Sequence, residues 1–176
     1  MDKQEALRRA QLEFTAVPDD QRESPARVRS IQARLYTDRF IEHEQAFDFL
    51  SEAQSVHGEG TKLPVRALLH YRDDVAEPVR KLRARGKRDV PKDLEIAVRE
   101  FIPQTDRDTD RVKTVSARLR IDLYLEHREA YEFLQEMQTL HGEGNKTIVK
   151  ALLHYRDTVY GPLLKQRQAA SSRRNQ

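Results

Sequence analysis

One stretch of about fifty-five residues occurs twice in this chain, and that repetition constrains the fold more than any other feature. It runs RVRSIQARLYTDRFIEHEQAFDFLSEAQSVHGEGTKLPVRALLHYRDDVAEPVRK from Arg27 and RVKTVSARLRIDLYLEHREAYEFLQEMQTLHGEGNKTIVKALLHYRDTVYGPLLK from Arg111. The offset is constant at 84 (111 minus 27), and no gap is needed. Many aligned positions are identical, and most others exchange like for like, as Phe40 with Tyr124, Phe47 with Tyr131 and Ile31 with Val115. This is the mark of a duplication. Stacked arrays need several units to bury a core, so two copies are expected to fold against each other.

Each copy reads as one short strand followed by two helices. Over 30–35 the pattern alternates, with Ile31, Ala33 and Leu35 on one side and Ser30, Gln32 and Arg34 on the other. In the second copy Val115, Ala117 and Leu119 oppose Thr114, Ser116 and Arg118. Thr37-Asp38 and Asp122 then offer oxygen acceptors for the free amides of a helix start. Ile41, Ala46, Phe49, Leu50, Ala53 and Val56 recur at helical spacing. Gly58 and Gly142 are expected to stop that helix, because glycine accepts the left-handed backbone of a C-cap. Thr61 and Asn145 are suitable N-caps for a second helix, whose apolar stripe is Val65, Leu68, Leu69 and Val75 or Val149, Leu152, Leu153 and Val159. Pro78 and Pro162 are expected to end or kink it.

A lone strand with two helices cannot satisfy its own backbone, so it needs a second strand. Pairing 28–36 with 112–120 as an antiparallel ribbon supplies one. The expected fold is therefore mostly α with a short two-stranded antiparallel ribbon, the two copies forming an intramolecular pseudo-dimer. Ser30, Gln32, Arg34, Thr114, Ser116 and Arg118 are then left pointing outward.

With those residues in place, the chain resembles the ribbon-helix-helix (Arc/MetJ-type) DNA-binding proteins. The likeness rests on SIQARLYTD and TVSARLRID, on the glycine turns HGEGTK and HGEGNK, and on the VRALL and VKALL helices. Two units in one polypeptide are similar to the tandem, TraY-type accessory proteins of conjugative relaxosomes. The resemblance implies a sequence-specific binder of double-stranded DNA. A relaxosome accessory at a transfer origin, a partition or replication protein of a plasmid or other mobile element, and a transcription repressor all stay open as roles.

The remainder divides around the copies: 1–26 as a lead-in, 27–82 and 111–165 as the two units, 83–110 as a linker, and 166–176 as a basic tail expected to be disordered. The lead-in can begin with a short amphipathic helix (Ala6, Leu7, Ala10, Leu12), followed by a flexible VPDDQRESPA. The linker has a basic start (Arg83, Arg85, Lys87, Arg88) and a candidate helix over 93–101. The chain has 176 residues, 35% of them charged, and none of its apolar runs is long enough to span a membrane. MDKQEALRRAQLEF does not read as a signal peptide, so a cytoplasmic location is expected. Zero cysteines exclude disulfides and thiolate chemistry. A net charge of +3 is modest, so any nucleic-acid partner must be met by a local patch.

An antiparallel ribbon fits the major groove, where each base pair shows its own donor and acceptor pattern. Arg34 and Arg118 can each pair bidentately with guanine, and Gln32 with adenine. Ser30, Thr114 and Ser116 can serve either kind of base. Because Gln32 aligns with Ser116, the two half-sites need not match. Phosphates are expected at the start of each second helix, where Thr61 and Lys62 or Asn145 and Lys146 stand beside free amides. Neighbouring molecules could cooperate on DNA through the linker helix or the N-terminal segment, and other proteins of a nucleoprotein complex could join them.

Six histidines (His43, His57, His70, His127, His141, His154) show no zinc-site motif, and His70 and His154 are read as lying on the polar side of their helix, so no metal is expected. The GEGTK and GEGNK turns lack the upstream glycine of a phosphate loop. No nucleophile, base and orienter converge, so the chain is not expected to be an enzyme, and no cofactor is implied. The alternative reading is a helical protein-protein interaction module that binds no DNA. It would be favoured by an apolar or acidic outward strand face, whereas Ser, Gln, Thr and Arg stand there.

Overall fold

The backbone is organised by the pairing of two strands, β1 (Val28–Tyr36) and β2 (Val112–Arg120). The structure, a computed structural model, describes residues 2–22, 28–56, 58, 60, 62–104 and 112–176. The strands run antiparallel, from Val28 opposite Arg120 to Tyr36 opposite Val112, with Gln32 opposite Ser116 at the centre. Ile31, Ala33, Leu35, Val115, Ala117 and Leu119 are all buried, as the alternation requires. A two-stranded ribbon is only marginally stable by itself, so this apolar face must be covered by helices.

Helices make up most of the molecule: α1 (Lys3–Gln11), α2 (Ile41–Ser55), α3 (Lys62–Tyr71), α4 (Glu77–Ala84), α5 (Leu125–His141), α6 (Gly144–Tyr155) and α7 (Gly161–Arg174). Beneath the ribbon, α2 contributes Ala46, Phe49, Leu50 and Ala53, and α5 contributes Ala130, Phe133 and Leu134. Val65 and Leu68 of α3 and Val149 and Leu152 of α6 fill the centre. Val56 was expected on the apolar stripe but is 69% exposed, as is Leu140 at the equivalent place within α5 (70%), because the C-terminal ends of both helices run past the core. Gly142 caps α5 at φ 64° as anticipated, and Gly58 has the same φ.

Pro78 and Pro162 do not end their helices. Each follows a π-helical turn, Arg72–Ala76 before α4 and Arg156–Tyr160 before α7, so helical structure continues from α3 into α4 and from α6 into α7. A proline ring collides with the carbonyl four residues earlier, and the wider π turn moves that carbonyl aside. The bonds from Glu77 N to Arg72 O and from Gly161 N to Arg156 O accordingly span five residues.

The expected caps of α2 and α5 are also corrected. Thr37 and Asp38 lie in a turn before α2, whose N-cap is Phe40 and makes no side-chain cap bond. Asp122 instead receives the Arg120 guanidinium at 3.1 and 3.0 Å. The free amides are met by other parts of the chain: Leu125 N donates to Thr15 O (2.9 Å), and Ile41 N donates to Ile102 O (3.0 Å). In return, the Glu126 carboxylate accepts from Thr15 N at 2.7 Å, and that of Glu42 accepts from Ile102 N at 2.8 Å.

Two segments read as connectors are therefore docked. Residues 14–17 lie on the start of α5, with Val17 buried and its amide donating to Leu123 O at 2.8 Å. Residues 101–104 lie on the start of α2, where Gln104 N donates to Arg39 O at 2.7 Å. Phe14 packs edge-on against His127 at 4.9 Å, and Phe101 against His43 at 5.0 Å. The linker helix expected over 93–101 is a shorter 3-10 turn, Lys92–Ala97, anchored by buried Leu94. The tail expected to be disordered continues as α7 to Arg174, although its side chains beyond Leu164 are exposed.

Candidate nucleic-acid interface

Alternation along the strands puts Ser30, Gln32, Arg34, Thr114, Ser116 and Arg118 on the outer face, and all six are exposed. The register brings them into three cross-strand pairs: Ser30 with Arg118, Gln32 with Ser116, and Arg34 with Thr114. Each arginine thus faces a hydroxyl, with the amide of Gln32 between them. Among the described residues neither arginine's guanidinium is held in an ion pair. The two strands together carry Arg29, Arg34, Lys113, Arg118 and Arg120 and contain no Asp or Glu. Acidic groups collect elsewhere, with exposed Asp48 and Glu52 on α2 and exposed Glu129, Glu132 and Glu136 on α5. Charge is therefore separated within the molecule, and the net value of +3 conceals it.

The first turn of α6 meets the ribbon edge. Asn145 is not the N-cap expected of it, because α6 begins at Gly144 with Glu143 as its cap. Its Oδ1 instead accepts from the backbone amide of Arg34 at 3.3 Å. That bond leaves the Asn145 side-chain NH2 as a donor next to the exposed Lys146. Lys62 opens α3 and is exposed, its Nζ 3.6 Å from Glu13 Oε2 in a solvated and therefore weak ion pair. Thr61 lies outside the described residues. A groove of about 440 Å³ runs beside the ribbon, lined among others by Ser30, Gln32, Arg34, Thr114, Gln138 and Asn145.

Three polar residues near this face escaped the reading of the sequence. Arg29 and Lys113 share the inward parity of their strands, yet they are exposed because the strand ends run past the core. Lys113 places its ammonium 5.7 Å from the Phe47 ring. Gln138 is on α5, and its place in the groove depends on packing between elements, which no local pattern encodes.

The histidines correct a further expectation. His70 and His154 do not lie on a polar face. Their side chains are 9% and 10% exposed, and the rings stack at 5.2 Å. His154 Nε2 is 2.7 Å from Asp74 Oδ2, and His70 Nε2 is 2.9 Å from Thr158 Oγ1. His43 and His127 are buried as well, their Nδ1 atoms accepting from Tyr36 N and Arg120 N at 3.0 Å each. Burial pushes both rings below the ordinary histidine value.

No family model, no curated protein and no solved structure matches this chain.

Proposed function

We propose that this chain is a ribbon-helix-helix pseudo-dimer in a single polypeptide, and that it reads a specific double-stranded DNA site by laying its ribbon in the major groove. The observation that carries the reading is the outer ribbon face: six exposed side chains able to bond base edges, on strands that hold five cations and no acid. A two-stranded ribbon has the size to enter a groove about 12 Å wide. An interaction module would be better served by an apolar or acidic face in that position.

Internal symmetry supports the pseudo-dimer. The strand register is centred on the pair of Gln32 and Ser116, which are aligned positions of the duplicated sequence. Contacts recur in kind: Arg66 donates to Leu12 O and Lys150 to Ala97 O, both at 2.9 Å, with their cations over Phe14 and Phe101 respectively. The symmetry fails where it would affect readout. Glutamine and serine at the centre would favour different bases on the two strands, so the preferred site is expected not to be a perfect palindrome. Phosphate contacts from Lys62, Lys146 and the Asn145 amide would fix the register. Roles at a transfer origin, in partition or replication, or in repression are all compatible with this chemistry.

The test is selection of a site from random duplexes, followed by salt-dependent titration of the Arg34→Ala/Arg118→Ala double variant. Each arginine is expected to contribute about 1 to 3 kcal/mol of base discrimination. The double variant should therefore lose most of its preference for the selected site over a scrambled duplex. The Lys62→Ala/Lys146→Ala variant should weaken both duplexes alike and flatten the salt slope. Unchanged discrimination in a folded Arg34→Ala/Arg118→Ala protein would sink the proposal.

A further inference from the structure

We propose that His70, Asp74 and His154 form a binding site for a divalent metal ion of the zinc class, joining the helix that runs through α3 to the one that runs through α6. The site stands apart from the ribbon and does not depend on the DNA reading.

Its geometry comes from two elements. His70 and Asp74 are four residues apart on one continuous helix, a spacing that puts two ligands on the same face. His154 comes from the facing helix, and its Nε2 lies 2.7 Å from Asp74 Oδ2, with His70 Nε2 3.8 Å from that same oxygen. One ligand atom from each residue falls within 4.8 Å of the other two. Ligands held about 2.0 to 2.2 Å from a tetrahedral zinc stand roughly 3.3 to 3.6 Å apart, so small side-chain adjustments would place an ion among them.

The surroundings suit a bound cation. The Tyr155 ring stands steeply to that of His70 at 5.9 Å, and Tyr71 to that of His154 at 6.2 Å, so aromatic rings flank both imidazoles. Asp74 is 22% exposed, and its carboxylate supplies the negative charge. The Thr158 hydroxyl donates to the His154 carbonyl, so in its 2.9 Å contact with His70 it is the Nε2 of the ring that donates. For coordination through Nε2 the ring proton must sit on Nδ1, a change of tautomer that releases no proton to solvent. Three protein ligands would leave one coordination position for solvent.

The duplication supplies a second, independent observation. Both histidines recur at aligned positions, but Asp74 aligns with Thr158. Thr158 already serves as a neutral partner, bonding His70 and donating to its own His154 carbonyl at 2.7 Å. A threonine at 74 would complete that network symmetrically. The carboxylate there instead makes a three-ligand set, although both positions lie in equivalent π-helical turns.

The experiment uses the full chain, stripped of metal and titrated with zinc chloride at pH 7.5 by calorimetry, with thermal unfolding followed in parallel. One zinc per chain and a rise in unfolding temperature are expected, and cobalt(II) substitution should give the visible absorption of a four-coordinate nitrogen and oxygen site. Asp74→Asn keeps an acceptor for His154 but removes the charged ligand, and it should weaken zinc binding by more than about tenfold. His154→Gln should do the same, while His141→Gln at an exposed position should change nothing. If His154→Gln does not fold, the Asp74→Asn titration decides alone. The absence of one-to-one uptake by the folded protein, or uptake indifferent to Asp74→Asn, would overturn the assignment.

Discussion

Gly142 shows how a single residue can be read correctly from sequence. Its φ of 64° closes α5, and a Cβ placed there would meet nothing within 4 Å, so any penalty for a side chain is purely conformational. Gly142→Ala is expected to destabilise the protein by about 1 to 2 kcal/mol, measured by denaturant unfolding. The histidines show the reverse. They look alike in the sequence, yet His43, His70 and His127 are held below the value of 6.5 that the unfolded chain would show. The unfolded chain therefore takes up protons first as the pH falls. Stability present above pH 6.5 is lost below it, and for His70 the loss continues down to about 4. Each histidine can contribute a slope of up to about 1.4 kcal/mol per pH unit within its own interval. Unfolding temperatures should decline across that window, before the depressed carboxylates of Asp74 and Asp122 begin to matter below 3.8. A flat profile between 6.5 and 4 would contradict the burial argument.

At the scale of elements, the strands and the two long helices of each copy were legible because their signals are local. Ile31, Ala33 and Leu35 alternate, and Ala46, Phe49, Leu50 and Ala53 recur at helical spacing. The helix starts were misread because the acceptors that satisfy them are distant in sequence, Thr15 for Leu125 and Ile102 for Ile41. Those carbonyls cannot be inferred from Thr37, Asp38 or Asp122, which are plausible caps by composition alone. Deleting residues 2–17 removes the bond from Thr15 and the ring of Phe14 from His127. Hydrogen exchange should then accelerate in the first turn of α5, at Leu125 above all, and the start of α2 should keep its protection because residues 101–104 still cover it. Equal acceleration at both helix starts would show that the segments do not act locally. The prolines teach the same lesson, since the π turns that accommodate Pro78 and Pro162 leave no mark in composition.

For the whole molecule, the pairing of β1 with β2 inside one chain predicts an unfolding temperature that does not depend on concentration. A hundredfold dilution should leave the midpoint unchanged, whereas ribbons exchanged between chains would make it fall. The sequence by itself determined the recurrence of one stretch at a fixed offset, the two strands with their inner and outer faces, the order of strand and helices in each stretch, and the residues offered outward. These follow from identity at a fixed offset and from periods of two and of about 3.6, which any stretch of chain displays without reference to the rest. Only the tertiary structure decided that residues 14–17 cap α5 and residues 101–104 cap α2, that Asn145 bonds the Arg34 backbone, and that His70, Asp74 and His154 meet. The physical reason is that these are contacts between residues tens of positions apart. Their geometry is set by how whole elements pack, and a side chain's neighbours across that packing leave no trace in its own local pattern.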